Sequence, residues 1–223
     1  GNQYAFIGDP MDDHGHGTHV AGVIAGVNNN IGVVGVAYGA KIMAIKAGQS
    51  SGYFHQSDIA EAIIYAYENG ADVINMSFGG SASTIAVTDA LEKAYTDCVL
   101  VASAGNYPAA LKYVLGVMSV DENGVESAFT NYDVSLYSTK EYEVYAPGED
   151  IMSTIPGNKY ASWDGTSMAT PIVSAMAAML RNAYPERGTY PTKFIYGQIV
   201  NSGEETATCF DPDTHGEHNL PPI

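Results

Sequence analysis

A three-layer α/β domain with a doubly wound, mainly parallel sheet is the fold this sequence predicts. Three observations carry that expectation. Short apolar runs alternate with helical patterns along most of the chain, as parallel strands do when crossover helices join them. The runs Cys98–Ala102 and Val114–Val120 are apolar without alternation, which fits strands covered on both faces. Hydrophobic residues make up 46% of 223 residues and the 24 glycines are scattered, so the chain carries a real core and no glycine-rich linker.

In order, a helix is expected to start near Gly15-His16-Gly17, and Lys41–Ala47 reads as a strand. Ser57 is placed to cap a helix from Asp58, with Ile59, Ile63, Ala66 and Tyr67 on one face and Gly70 closing it. Asp72–Met76 follows as a buried strand, Ser83–Thr96 as a helix and Cys98–Ala102 as a strand. Val114–Val120, Tyr142–Ala146 and Ile151–Ile155 are further strands. Ser167–Ala183 is a strongly apolar helix stopped by Tyr184-Pro185, and Thr192–Val200 is the last helix. The stretch from Ser202 to Ile223 reads as irregular. One domain spanning 1–223, truncated at both ends and incomplete at its N-terminus, is expected.

Composition excludes several function classes. Asp plus Glu number 25 against 9 Lys plus Arg, a formal charge of −16. Such a surface repels phosphate backbones and anionic lipid, so nucleic-acid and membrane partners are not expected. No apolar stretch is long enough to span a bilayer, and no signal peptide is visible. Cys98 and Cys209 make no disulfide framework; both read as free thiols without a catalytic role.

Three segments carry chemistry. Ser167, within Gly165-Thr166-Ser167-Met168-Ala169-Thr170-Pro171, opens a helix, where unpaired backbone N–H groups and the dipole favour developing negative charge. As a nucleophile it would have its own amide beside the oxyanion; as a plain helix cap it would have neither role. His16 and His19, in His16-Gly17-Thr18-His19-Val20-Ala21-Gly22, offer an imidazole base. With His14, Asp12 and Asp13 they also offer a metal-dependent alternative, although the spacing is not that of a zincin helix. Asn106, after Ser103-Ala104-Gly105, is either a turn residue or an amide donor to an oxyanion.

In that order, these motifs resemble those of the subtilisin-type serine proteases, the subtilase family. The likeness runs from His16 through the helix after Ser167 and includes Asn75-Met76-Ser77-Phe78-Gly79-Gly80. The resemblance implies an endopeptidase with His16 as general base, Ser167 as nucleophile and Asn106 as oxyanion donor. It implies that Ser77, Phe78 and Gly79, with Ser51, Gly52 and Tyr53, flank an extended peptide substrate. Met168, beside the nucleophile, becomes an oxidation liability. The loop Val27–Val33 resembles the family's calcium loop, implying a structural Ca²⁺ held by Asn29 and by the carbonyls of Val27, Ile31 and Val33. No cofactor is expected for the chemistry itself. The family's habit implies an extracellular protein; free cysteines leave a cytoplasmic one open.

The departures are informative. The family carries an orienting aspartate in an Asp-Ser/Thr-Gly turn after a central strand upstream of the base, and nothing before His16 fits it. Asp213-Thr214-His215-Gly216 echoes the turn but follows no apolar strand. The isolated chain is therefore expected to have little or no activity. Its interrupted sheet is expected to self-associate or to take a segment from a partner. A non-catalytic relative that binds peptides through the same groove is the alternative.

Overall fold

The computed structural model describes residues 9–105, 107–131 and 144–203, with the backbone of strands 207–211 and 216–220. Four parallel strands, β1 (Val73–Met76), β2 (Val99–Ser103), β3 (Val114–Val120) and β4 (Val144–Pro147), lie side by side in chain order. β2 and β3 are buried along their whole length, as their largely apolar sequences favour.

Alternation along each strand sends side chains to two separate cores. Leu100, Ala102 and Met118 pack with helices α2 (Gln56–Glu68) and α3 (Ile85–Ala94), through Ile59, Ile63, Val87 and Leu91. Val99, Val101, Leu115 and Val117 pack on the other face against α4 (Thr166–Ala183) and α5 (Thr192–Ser202), through Ala169, Val173, Ile195 and Ile199. The expected three-layer, doubly wound α/β architecture is present. Helix α1 (His16–Ala25) packs on α4 and on an antiparallel hairpin of β5 (Ile151–Ile155) and β6 (Lys159–Trp163).

Several expectations need correction. Lys41–Ala47 is not a strand: among the described residues its backbone pairs with no other backbone, and Ile42 is 46% exposed. A strand exists only if a neighbour accepts its hydrogen bonds, and here none lies beside it. A cleft of about 2080 Å³ instead separates this segment from β1. For the same reason β1 is an edge strand with Val73, Ile74 and Asn75 half-buried, rather than the buried strand expected. Ile151–Ile155 is a strand as expected, but it pairs in the β5–β6 hairpin, and β6 was not anticipated. The α2 helix starts at Gln56, so Ser57 is not its cap; its hydroxyl bonds Asp58 instead. The cap of α3 is Thr84, which accepts from the Val87 amide. The expected irregular tail contains a two-stranded hairpin, β7 (Ala207–Asp211) and β8 (Gly216–Leu220). Tyr142 and Glu143, at the start of the strand read from sequence, lie outside the described residues.

Candidate active site

The site gathers at the C-terminal ends of β1 and β2, where ligands of parallel sheets bind. Gly165 precedes α4 with φ +152°, a conformation that L side chains avoid, and its amide donates to the Gly148 carbonyl at 2.8 Å. This turn places Ser167 at the second position of α4, in the turn whose amides have no helical partner. Pro171 has no N–H, so the Ser167 carbonyl also lacks its helical donor. Thr166 Oγ1 donates to the Ala104 carbonyl at 3.3 Å, and Ser167 Oγ to the Ser77 carbonyl at 3.2 Å. The helix start is thereby pinned across both strand ends.

His16 opens α1 and reaches the same place. His16, Ser167, Phe129 and Trp163 line one open cleft of about 720 Å³. The two residues singled out as base and nucleophile, 151 positions apart in sequence, are thus brought to a common space. The Ser167 hydroxyl is engaged by Ser77 and not by the imidazole. Burial depresses the pKa of His16, as do like charges on His14 and His19, against a smaller opposing pull from Asp12. The ring is therefore neutral at neutral pH, the form that accepts a proton.

Asp12 does not orient this imidazole. It accepts from the amides of His14 (3.0 Å), Gly15 (2.8 Å) and Thr18 (2.7 Å) and from the Thr18 hydroxyl (2.6 Å). Burial works to raise its pKa, but these bonds outweigh it and hold the carboxyl well below the usual range. Gly15, in the N-cap position, has no side chain to serve the first turn, and Asp12 does that work from three residues upstream. Asp13 pairs with Lys46 at 2.6 Å.

His19 is structural. It is fully buried, stacks on Trp163 at 4.5 Å with the rings 6° apart, and its Nε2 contacts the Ala161 carbonyl at 3.1 Å. Its pKa is lowered by burial. Among the described residues no group of three His, Cys, Asp or Glu side chains converges as metal ligands would, so the metal-dependent alternative built on His14, His16 and His19 loses its geometry. Trp163, the chain's one tryptophan, also lies under His16 at 6.4 Å. Its role was not read from the sequence, and only its rarity could have drawn attention to it.

The segments expected to flank a peptide come together. Phe78 stacks on Phe54 at 4.6 Å, tying Ser77–Gly79 to the turn that contains Ser51, Gly52 and Tyr53. Gly52 has φ +80° and sits against the His14 ring. Gly79 passes so close to Gly105 that a Cβ would stand 2.9 Å from the Gly105 carbonyl oxygen. Gly80 and Tyr107 exchange backbone hydrogen bonds at 2.9 and 3.0 Å. Asn106, which lies between Gly105 and Tyr107 in the sequence, is outside the described residues. In the loop after α1, Asn29 Oδ1 accepts the Ile31 amide at 3.0 Å and keeps a second lone pair. Val27 and Ile31 are exposed there, and the Gly35 amide closes the loop on the Gly26 carbonyl.

The sequence description of the subtilase family matches residues 4–208. The chain belongs to the subtilase family. By family it is a serine-type endopeptidase acting on peptides or proteins. It is 42% identical over 209 residues to subtilisin DY of Bacillus licheniformis, covering 88% of this chain and 72% of that protein. It is 40% identical over 214 residues to a thermostable alkaline protease of Halalkalibacterium halodurans, covering 92% of this chain but 56% of that protein. Subtilisin Savinase of Lederbergia lenta is 39% identical, over 90% of this chain and 74% of its own length. The match to the Halalkalibacterium protein thus spans little more than half of that relative. Among solved structures, sphericase superposes with a TM-score of 0.79 at 28% identity, over 95% of this chain and 77% of that one.

Proposed function

We propose that this subtilase domain cleaves peptide bonds through an acyl-enzyme on Ser167. One observation carries the reading: a half-buried imidazole, its pKa lowered by burial, and a helix-N-terminal hydroxyl border the same open cleft. In the first step His16 takes the Ser167 proton as Oγ attacks the substrate carbonyl. The resulting oxyanion is held by the Ser167 amide and by the side chain of Asn106. His16 then protonates the leaving amine, and water resolves the ester by the same route. The substrate lies extended between Ser77–Gly79 and Ser51–Tyr53, pairing through backbone groups. For Oγ to attack, it must exchange its bond with the Ser77 carbonyl for one with the imidazole.

In this reading the isolated chain turns over little substrate. The carboxylates nearest His16 in sequence, Asp12 and Asp13, are engaged elsewhere. An imidazole without an orienting carboxylate loses about 10⁴ in kcat in a chymotrypsin-type enzyme. A second copy covers the open sheet edge, or another polypeptide completes the sheet and supplies the missing group. The loop of Val27, Asn29, Ile31 and Val33 holds a structural Ca²⁺, and the working compartment is extracellular.

A fluorophosphonate probe tests the chemistry. We expect slow labelling that is abolished by Ser167→Ala and by His16→Ala, with peptidase turnover far below that of a longer form containing an upstream strand. Equal turnover by the two forms would refute the missing-carboxylate argument. Absence of labelling in both would leave a peptide-binding domain.

A further inference from the structure

The last stretch of the chain concentrates residues of metal-binding type. Of the ten positions from Cys209 to His218, six are Cys, His, Asp or Glu: Cys209, Asp211, Asp213, His215, Glu217 and His218. Two of the chain's six histidines and one of its two cysteines fall here. The subtilase match ends at residue 208, so the family's chemistry does not account for them. The run Asp213-Thr214-His215-Gly216, which echoes the family's aspartate turn, belongs to this cluster.

Strand pairing sorts these residues. β7 and β8 run antiparallel, with Cys209 opposite His218, Phe210 opposite Glu217 and Asp211 opposite Gly216. Successive residues of a strand alternate between faces, and directly opposed residues share one. Cys209, Asp211 and His218 therefore fall on one face of the hairpin, and Phe210 and Glu217 on the other. Opposed residues have Cβ atoms about 4.5–5.5 Å apart, and residues two along a strand lie about 7 Å apart. Thiolate, imidazole and carboxylate side chains bridge such spans to one ion through bonds of about 2.0–2.3 Å.

The hairpin also lacks other support. β7 and β8 pair only with each other among the described residues, and a lone two-stranded hairpin is marginal in water. Small units of this kind are held by a disulfide or a metal. A disulfide to Cys98 is excluded, because that thiol is fully buried in the core and donates to the Ala71 carbonyl.

We propose that the β7–β8 hairpin binds a zinc-class divalent cation on the face shared by Cys209, Asp211 and His218. A thiolate beside an imidazole selects zinc over calcium or magnesium, which take oxygen donors. Binding replaces the S–H bond of Cys209 with a metal–sulfur bond, and the proton leaves to solvent. Three protein donors leave one tetrahedral position for water. The free energy of binding becomes folding free energy of the hairpin, and the formal charge of −16 favours capture of cations.

The test uses the full chain carrying Ser167→Ala, so that it cannot digest itself. Co²⁺ is the spectroscopic probe and Zn²⁺ its competitor. One equivalent of Co²⁺ should raise the near-ultraviolet band of a thiolate–cobalt bond, and Zn²⁺ should abolish it. Cys209→Ser and His218→Ala should each weaken Zn²⁺ binding by more than the roughly tenfold that loss of an outer-shell partner costs. Glu217→Gln, on the opposite face, should leave it unchanged. The deciding variant exchanges two neighbours, Cys209→Phe with Phe210→Cys; composition is kept, the thiol moves to the other face, and the band should be lost.

An equal band in the exchanged variant, or no thiolate band at any Co²⁺ concentration, overturns the site. Affinity that survives His218→Ala but not His215→Ala overturns the pairing of Cys209 with His218 as its basis. Fluorophosphonate labelling of Ser167 in the parent chain is independent of all these outcomes.

Discussion

Replacing Asp12 with alanine should detach the first turn of α1, and with it His16, from the side chain that caps it. Four hydrogen bonds converge on this carboxylate, from three amides and one hydroxyl, at 2.6 to 3.0 Å. Loss of a helix cap costs about 0.5–2 kcal/mol. Hydrogen bonds to a charged group are worth about 1.5–3 kcal/mol each, but they share one acceptor that is only partly buried, so they do not add. A total near 3 kcal/mol is expected for Asp12→Ala and about 1 kcal/mol for Asp12→Asn, which keeps an acceptor and loses the charge. At about 2–4 °C per kcal/mol for a domain of this size, the alanine variant should melt roughly 6–12 °C lower. The acid limb supplies a second readout. The carboxyl is more acidic folded than its ordinary 3.8, so its contribution is complete above that value and is lost as pH falls toward the folded value. Urea titrations from pH 6 to pH 2 should therefore show a steeper loss for the parent than for Asp12→Ala. Stability within about 0.5 kcal/mol of the parent, or an unchanged slope below pH 4, would refute the capping argument.

Three other outcomes are expected. His16 and His19 both have depressed pKa values, so folding favours their neutral forms; stability and fluorophosphonate labelling should fall as pH drops below the ordinary 6.5, and labelling that rises in acid would contradict the base role. The Cys98 thiol is buried, donates to the Ala71 carbonyl at 3.0 Å and is pushed up to about 11, so in a Cys209→Ser background Ellman's reagent at pH 8 should react only on unfolding; stoichiometric reaction of the native chain would show this core to be open. If the loop after α1 holds calcium, millimolar Ca²⁺ should raise the melting temperature of the parent and not of Asn29→Ala, and an equal rise in both would remove the loop from consideration.

The legible parts of this fold were those decided by local pattern. β2 and β3 could be read because Val99–Val101 and Val114–Val120 put apolar residues on both faces of the pleat, as a strand covered on both sides does. α4 could be read from its apolar periodicity and its Tyr-Pro stop. Lys41–Ala47 has the same local pattern, yet a strand also needs a partner, and that requirement is not local. Ile151–Ile155 was legible as a strand, but its antiparallel partner Lys159–Trp163 was not, because that pairing depends on a turn at Gly157 and Asn158, both with positive φ. In the site, Ser167 and His16 announced themselves by motif. Asp12 looked like one of a run of acids, and Trp163 like any aromatic, because capping and stacking partners are set by tertiary approach.

The two clefts share His16, so the open edge of β1 and the proposed nucleophile meet at one imidazole. On the cleft of Ser167 the imidazole offers a neutral ring backed by Trp163; on the slot beside β1 it meets open space where a third group would stand. A strand entering that slot would order Lys41–Ala47, bury Val73 and Ile74, and bring its end beside the imidazole in one event. Apolar burial at about 25 cal/mol per Å² supplies the driving force. Catalytic competence would then be coupled to completion of the core, because the same backbone that fills the sheet carries the group that orients the base. Until then Ser167 Oγ donates to the Ser77 carbonyl rather than to the imidazole.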